Sequence, residues 1–136
     1  MHTKIRKVLV VAVMFTTGVL SAAVSWAQPR PTPPKRLTSP AVVRGFIGGE
    51  SHDAYVIRAS KGKTMTVDLS WRAEGDNRAE FGVSEMPGFF NIKLVTFGKA
   101  SDDGKRWTGK IPKTANYYIY VVAHPSARYI LKVTLK

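Results

Sequence analysis

Ser51-His52-Asp53 is the stretch that first suggests chemistry, because serine, histidine and aspartate are the members of a nucleophilic triad. A triad works only when the serine hydroxyl meets the imidazole and the imidazole meets the carboxylate. Three consecutive residues entering a strand diverge instead, so the trio reads as loop. Asp102-Asp103-Gly104, with Glu50 or Glu85, offers carboxylate oxygens of the kind calcium takes. Calcium collects roughly six to eight oxygens, and two carboxylates on a turn read as an acidic bend. His52 and His124 stand in a chain without cysteine and have no zinc-ligand spacing. No catalytic set, metal or cofactor is therefore expected, and the chain reads as a binding protein rather than an enzyme.

Binding chemistry is better represented. Tyr118 and Tyr120 share one face of a strand, with cations nearby in the sequence. Exposed aromatic rings beside positive charge stack sugars or bases, although the second face of a strand also packs under loops and outward tyrosines are ordinary in sheets. Lys61, Lys63, Lys105, Arg106, Lys110 and Lys113 fall near turns and would concentrate a positive field if those turns shared one end. The formal net charge is +12, which favours acidic partners: anionic cell-wall polymers, lipid headgroups, nucleic acid or an acidic protein cleft. Nucleic acid is the poorest of these, because no nucleic-acid module is present and the chain carries an export leader.

That leader is residues 1–27. His2 to Lys7 is basic, Val8 to Leu20 is mainly apolar, and Ser25-Trp26-Ala27 supplies a cleavage site after Ala27. Thr16-Thr17-Gly18 interrupts the apolar run, which is short for a transmembrane helix. Cleavage removes Lys4, Arg6 and Lys7 and takes the charge from +12 to +9. The destination is the periplasm or the medium, and membrane contact is expected only through the leader before it is cut. With no cysteine there is no disulfide and no lipid anchor at a cysteine, so core packing alone must hold the fold.

The elements that position these residues are strands. Residues 28–40, QPRPTPPKRLTSP, read as an extended proline-rich linker without a core. Ala41 to Ile47 is the first candidate strand, with an alternation too short to settle its inward face, and from Ala54 the chain alternates with period two. Tyr55, Ile57 and Ala59 oppose Ala54, Val56 and Arg58, and after a turn at Lys61-Gly62 the set Met65, Val67, Leu69 and Trp71 opposes Thr66, Asp68 and Ser70. These two runs read as strands joined by a tight turn. Asp53, just ahead of the first of them, is placed to accept loop N–H bonds. Phe81 and Val83 mark a short strand, and Phe89 to Phe97 is apolar on both parities. Trp107, Gly109 and Ile111 make another alternating set. Tyr117, Ile119, Val121 and Ala123 form a strong strand, with Tyr118, Tyr120 and Val122 on its other side. His124 to Ala127 is a tight connection to a final strand carrying Tyr129, Leu131, Val133 and Leu135. About eight strands with turn signals every 8–12 residues, and no amphipathic helix, predict an all-β antiparallel sandwich or jelly roll over residues 41–136.

The run Gly49-x3-Asp53-x-Tyr55-x3-Ala59-x-Lys61-Gly62, followed by Thr66-x-Asp68-x-Ser70, resembles the opening of bacterial pre-peptidase C-terminal domains. It is also similar to the periplasmic inhibitors of goose-type lysozyme, which share that sandwich. Tyr117-x-Ile-x-Val121, a turn, then Ala127-Arg128-Tyr129-x-Leu-x-Val133 continue the likeness. The resemblance implies that Gly49, Asp53, Tyr55 and Gly62 build the fold. It implies a blocking function, in which loops at one end of the sandwich enter an enzyme cleft and basic groups meet acidic ones. The matching connection is Ala123 to Arg128, with Arg128 as the basic residue and His124-Pro125 in place of a longer basic stretch. The expected contact residues are thus His124, Arg128, Tyr118 and Tyr120, and the partner a lysozyme-type muramidase. The alternative is a cell-envelope structural or adhesion module that holds anionic glycans.

Overall fold

A computed structural model of the chain describes residues 32–136; the expected leader at 1–27 and residues 28–31 lie outside the described residues. The described part contains β1 (Lys35–Leu37), β2 (Ala41–Gly48), β3 (Asp53–Ala59), β4 (Thr64–Trp71), β5 (Arg78–Ser84), β6 (Lys99–Ala100), β7 (Arg106–Lys110), β8 (Ala115–His124) and β9 (Ser126–Leu135), with a 3-10 turn at Phe89–Asn91. One sheet has the order β1-β3-β8-β5 and the other β2-β9-β4-β7-β6. The fold is the all-β sandwich that the alternation predicts.

Inward residues of the two sheets make one core. Ile57, Ile119 and Val121 come from the first sheet, and Met65, Val67, Leu69, Leu131 and Val133 from the second; all are buried. Registers such as Tyr55↔Ile119 and Val67↔Val133 keep each apolar set on one side. A slip of one residue would turn a whole set to water, so burial enforces these registers.

Pairing departs from the sequence reading in two places. The β3 and β4 runs are not a hairpin. β3 pairs with β1 and β8, whereas β4 pairs with β7 and β9, so the turn between them crosses from one sheet to the other. Gly62 adopts φ 89° there, a conformation costly for a residue with Cβ, and its N–H reaches the Ile111 carbonyl at 2.8 Å. Period-two alternation reports a buried face but not which neighbour supplies the hydrogen bonds.

The second departure concerns the proline-rich stretch. Lys35–Leu37 pairs parallel to β3, and Leu37 is buried against the core. A three-residue strand with one apolar side chain has no alternation to reveal it. It also lies at a sheet edge, where flanking prolines are tolerated because the missing N–H is not needed.

Candidate functional site

Asp53, Tyr55 and Tyr129 form a polar relay under the second sheet. The Tyr129 hydroxyl donates to Asp53 Oδ2, and the Tyr55 and Tyr129 hydroxyls bond each other. Tyr129 has one proton, already given to Asp53, so Tyr55 donates to Tyr129. Asp53 therefore anchors a core tyrosine rather than the loop N–H groups expected of it. A Cβ on Gly45 would run into the Tyr129 ring, so glycine there lets β2 lie over it.

Burial pushes the Tyr129 hydroxyl far above the ordinary tyrosine range, and its bonds to Asp53 and Tyr55 push the same way. Burial raises Tyr55 too, and Asp53 adds to that. In the unfolded chain both ionise near pH 10, while the folded chain keeps its protons. Their contribution to stability is thus complete below about pH 10 and is lost as pH rises above it. The urea midpoint of the wild type is expected to fall steeply from pH 9.5 to 11. Tyr129→Phe should begin lower at pH 8 and fall less steeply, and parallel curves would refute this account.

The expected contact residues do not converge. Arg128 is not in a loop, since Pro125 alone separates β8 from β9, and Arg128 is an outward residue of β9 opposite Phe46. His124 ends β8 in the other sheet, opposite Arg78. Tyr118 and Tyr120 lie on the outer face of that first sheet, whereas Arg128 is on the outer face of the second, so the sandwich stands between them. Tyr120 is only 3% exposed, so of its readings the strand face packed under a loop holds and the surface ring does not.

The cover over Tyr120 is the segment from Glu85 to Leu94, which overlaps the Phe89 to Phe97 run whose two-parity apolar content left its facing open. Ser84 Oγ accepts from the Met86 and Lys93 N–H groups at 3.1 and 3.2 Å and so pins both ends of this loop. The Tyr120 hydroxyl donates to the Met86 carbonyl at 3.2 Å. Phe89 stacks on His52 with ring centroids 4.0 Å apart. A flat sugar-stacking platform at Tyr118 and Tyr120 is therefore not available.

Ser51-His52-Asp53 has dispersed as expected: Ser51 Oγ donates to Gly48 O at 2.7 Å, His52 stacks on Phe89, and Asp53 accepts from Tyr129. Asp103 serves its own turn. The Ser101 hydroxyl, then the Lys105 N–H, hold its carboxyl below the usual range. Among the described residues, no three His, Asp or Glu side chains stand where they could share a metal ion.

A different arrangement surrounds Arg128. An open groove of about 620 Å³ runs across β2, β9 and the end of β4, lined by Arg44, Phe46, Ser70, Trp71, Arg72 and Arg128 among others. Register builds it: Phe46 lies opposite Arg128, Ile130 lies between Arg44 and Ser70, and the Arg72 N–H bonds the Arg128 carbonyl at 3.0 Å. The Arg128 guanidinium sits 5.4 Å from the centre of the Phe46 ring, and Lys105 Nζ sits 4.8 Å from that of Trp71. Such cation–π contacts hold the cations in place and occupy the ring faces that a sugar would use. Arg72 has a partner in Glu74 at 3.5 Å, but both are largely exposed and the pair is weak. Three guanidinium groups on one groove suit carboxylate or phosphate, which they bind through paired N–H donors. Of this groove, the sequence pointed only to Arg128. Arg44 and Phe46 were missed because a short alternation did not settle the facing of β2.

No protein-family model matches the chain, and no curated protein does. Among solved structures it is similar to Aeromonas hydrophila PliG, a periplasmic lysozyme inhibitor of g-type lysozyme, with 22% identity, 76% of this chain and 96% of that one covered, and a TM-score of 0.59. Salmonella Typhimurium PliG gives 19% identity, 77% and 100% coverage and a TM-score of 0.53. The pre-peptidase C-terminal domain of a Bacillus anthracis collagenase gives 21% identity, 79% and 100% coverage and a TM-score of 0.57. At these identities the likeness is one of fold, and it is the fold that the Gly49 to Ser70 and Tyr117 to Val133 patterns resemble.

Proposed function

We propose that this chain is an exported, non-catalytic binding protein of the periplasm that blocks a g-type lysozyme. One observation carries the reading: Arg128, the basic residue matched to the inhibitors' pattern, stands in a groove with Arg44 and Arg72 rather than alone on a loop. Glycosidases cleave through carboxyl groups in an open cleft, and a cleft of that charge is complementary to this groove. The sandwich presents the groove on a sheet of five strands, so the contact is pre-organised and loses little entropy on binding. Blocking then requires only occupancy of the cleft, with no chemistry from this chain.

The test is lysis of bacterial cell walls by g-type lysozyme, with and without the processed chain. Micromolar protein is expected to suppress lysis by g-type lysozyme. Unchanged lysis at that concentration would overturn the proposal.

A further inference from the structure

The structure gathers lysines that are far apart in the sequence. Lys61 and Lys63 flank the β3–β4 turn, and Lys110 and Lys113 flank the β7–β8 connection. Backbone bonds tie the two turns together: Gly62 N to Ile111 O and Ile111 N to Lys63 O, both at 2.8 Å. Lys61 N also donates to Thr114 Oγ1 at 2.9 Å, and Arg58 lies opposite Asn116 close by. Lys136 joins the same end, its backbone exchanging two bonds with Thr64. All of these cationic side chains are exposed.

No residue in 58–64 or 110–116 is acidic. The other end of the sandwich is mixed, with Glu50, Glu74 and Asp76 beside Arg72 and Arg78. Lys105 and Arg106 are not part of the lysine end; Lys105 O bonds Leu69 N, and Arg106 Nε is paired with Asp68 at 2.6 Å. Charge is therefore polarised along the strands.

We infer that the end formed by Lys61, Lys63, Lys110 and Lys113 docks on an anionic polysaccharide chain of the cell envelope, independently of the groove at Arg128. Four exposed ammonium groups on two joined turns make a diffuse field, and each is a point charge without a fixed fork. Such a field suits a repeating anion better than one buried carboxylate. A bilayer fits less well, because insertion needs apolar side chains at the contact. The large exposed ones among the described residues are Val42 and Phe46 on β2, and Met86, Phe90 and Leu94 on or beside the loop over Tyr120. The two lysine turns carry none.

The test uses the processed chain and heparin, a linear anionic polysaccharide, as probe, with vesicles of neutral and anionic lipid as a second arm. The wild type is expected to bind heparin with an affinity that falls steeply with salt. Lys61→Gln, Lys63→Gln, Lys110→Gln and Lys113→Gln together should weaken binding at least tenfold at 50 mM salt. The slope of log affinity against log salt should fall by roughly two to four, by the counterion-release argument for polyanions. Arg44→Gln with Arg128→Gln should weaken heparin binding far less than the quadruple lysine variant does. Equal weakening by the groove pair would overturn the assignment, as would retention of binding by the quadruple variant or binding to anionic vesicles alone. Circular dichroism and urea midpoints show whether each variant is folded. The heparin result does not depend on lysozyme, so either reading can fail without the other.

Discussion

Arg128→Glu is expected to raise the concentration of protein needed for half-inhibition of g-type lysozyme at least about 30-fold, the lower end of what loss of a desolvated charge contact costs. The side chain is exposed, and the bond its backbone makes to Arg72 N survives substitution. Losing its position over Phe46 costs about 0.5–1 kcal/mol of stability, so the variant remains folded and the urea midpoint moves little. What changes is the groove. A carboxylate would stand between Arg44 and Arg72, neutralise them, and face the carboxylates of the cleft. Arg128→Lys should fall between, because it keeps the charge and loses the fork. Inhibition curves for the three proteins, with Lys61→Glu as a charge-matched control at the far end, decide the matter. Equal potency of Arg128→Glu and wild type would remove the groove from the contact.

Tyr129→Ala is expected to lower unfolding free energy by about 3–5 kcal/mol, the range for removing a large buried aromatic side chain. Tyr129 is 1% exposed, and it holds both Asp53 and Tyr55. Its removal leaves a cavity, an acceptor without its donor at Asp53, and a Tyr55 hydroxyl without its acceptor. A domain of this size has about 5–15 kcal/mol in total, so the variant would keep a fraction of its stability at most. Tyr129→Phe separates the two contributions, since it keeps the ring and deletes the hydroxyl, at a cost of about 1–3 kcal/mol. Urea unfolding of both variants measures this. A Tyr129→Phe midpoint equal to that of the wild type would show that the relay contributes nothing.

Much of the core was legible, although Leu37 and Val56, which the sequence reading left outside it, are buried too. Val67, Leu69, Ile119 and Leu131 were read as inward from alternation alone, and each is buried. The turn at Gly62 was legible too, because a positive φ has a residue signature. The parallel edge strand at Lys35–Leu37 was not legible, since its pairing is made by backbone groups that every residue has. Which of the readings of Tyr120 holds was not legible for a related reason. The sequence reads Tyr118 and Tyr120 as outward, and they are, but outward from a sheet means exposed only where nothing covers it. The Glu85 to Leu94 loop covers Tyr120 through a serine hydroxyl that pins the loop at both ends.

Strand content, the inward set and the absence of disulfides were determined by the sequence by itself, because each follows from side-chain type and a local period. Tertiary structure alone decided that β3 and β4 belong to different sheets, that Arg128 faces away from Tyr120, and that the lysines of two turns meet at one end. The physical reason is common to all three. Hydrophobic alternation states which side of a strand avoids water, whereas sheet membership is set by backbone hydrogen bonds between distant segments, and those bonds carry no side-chain pattern to read.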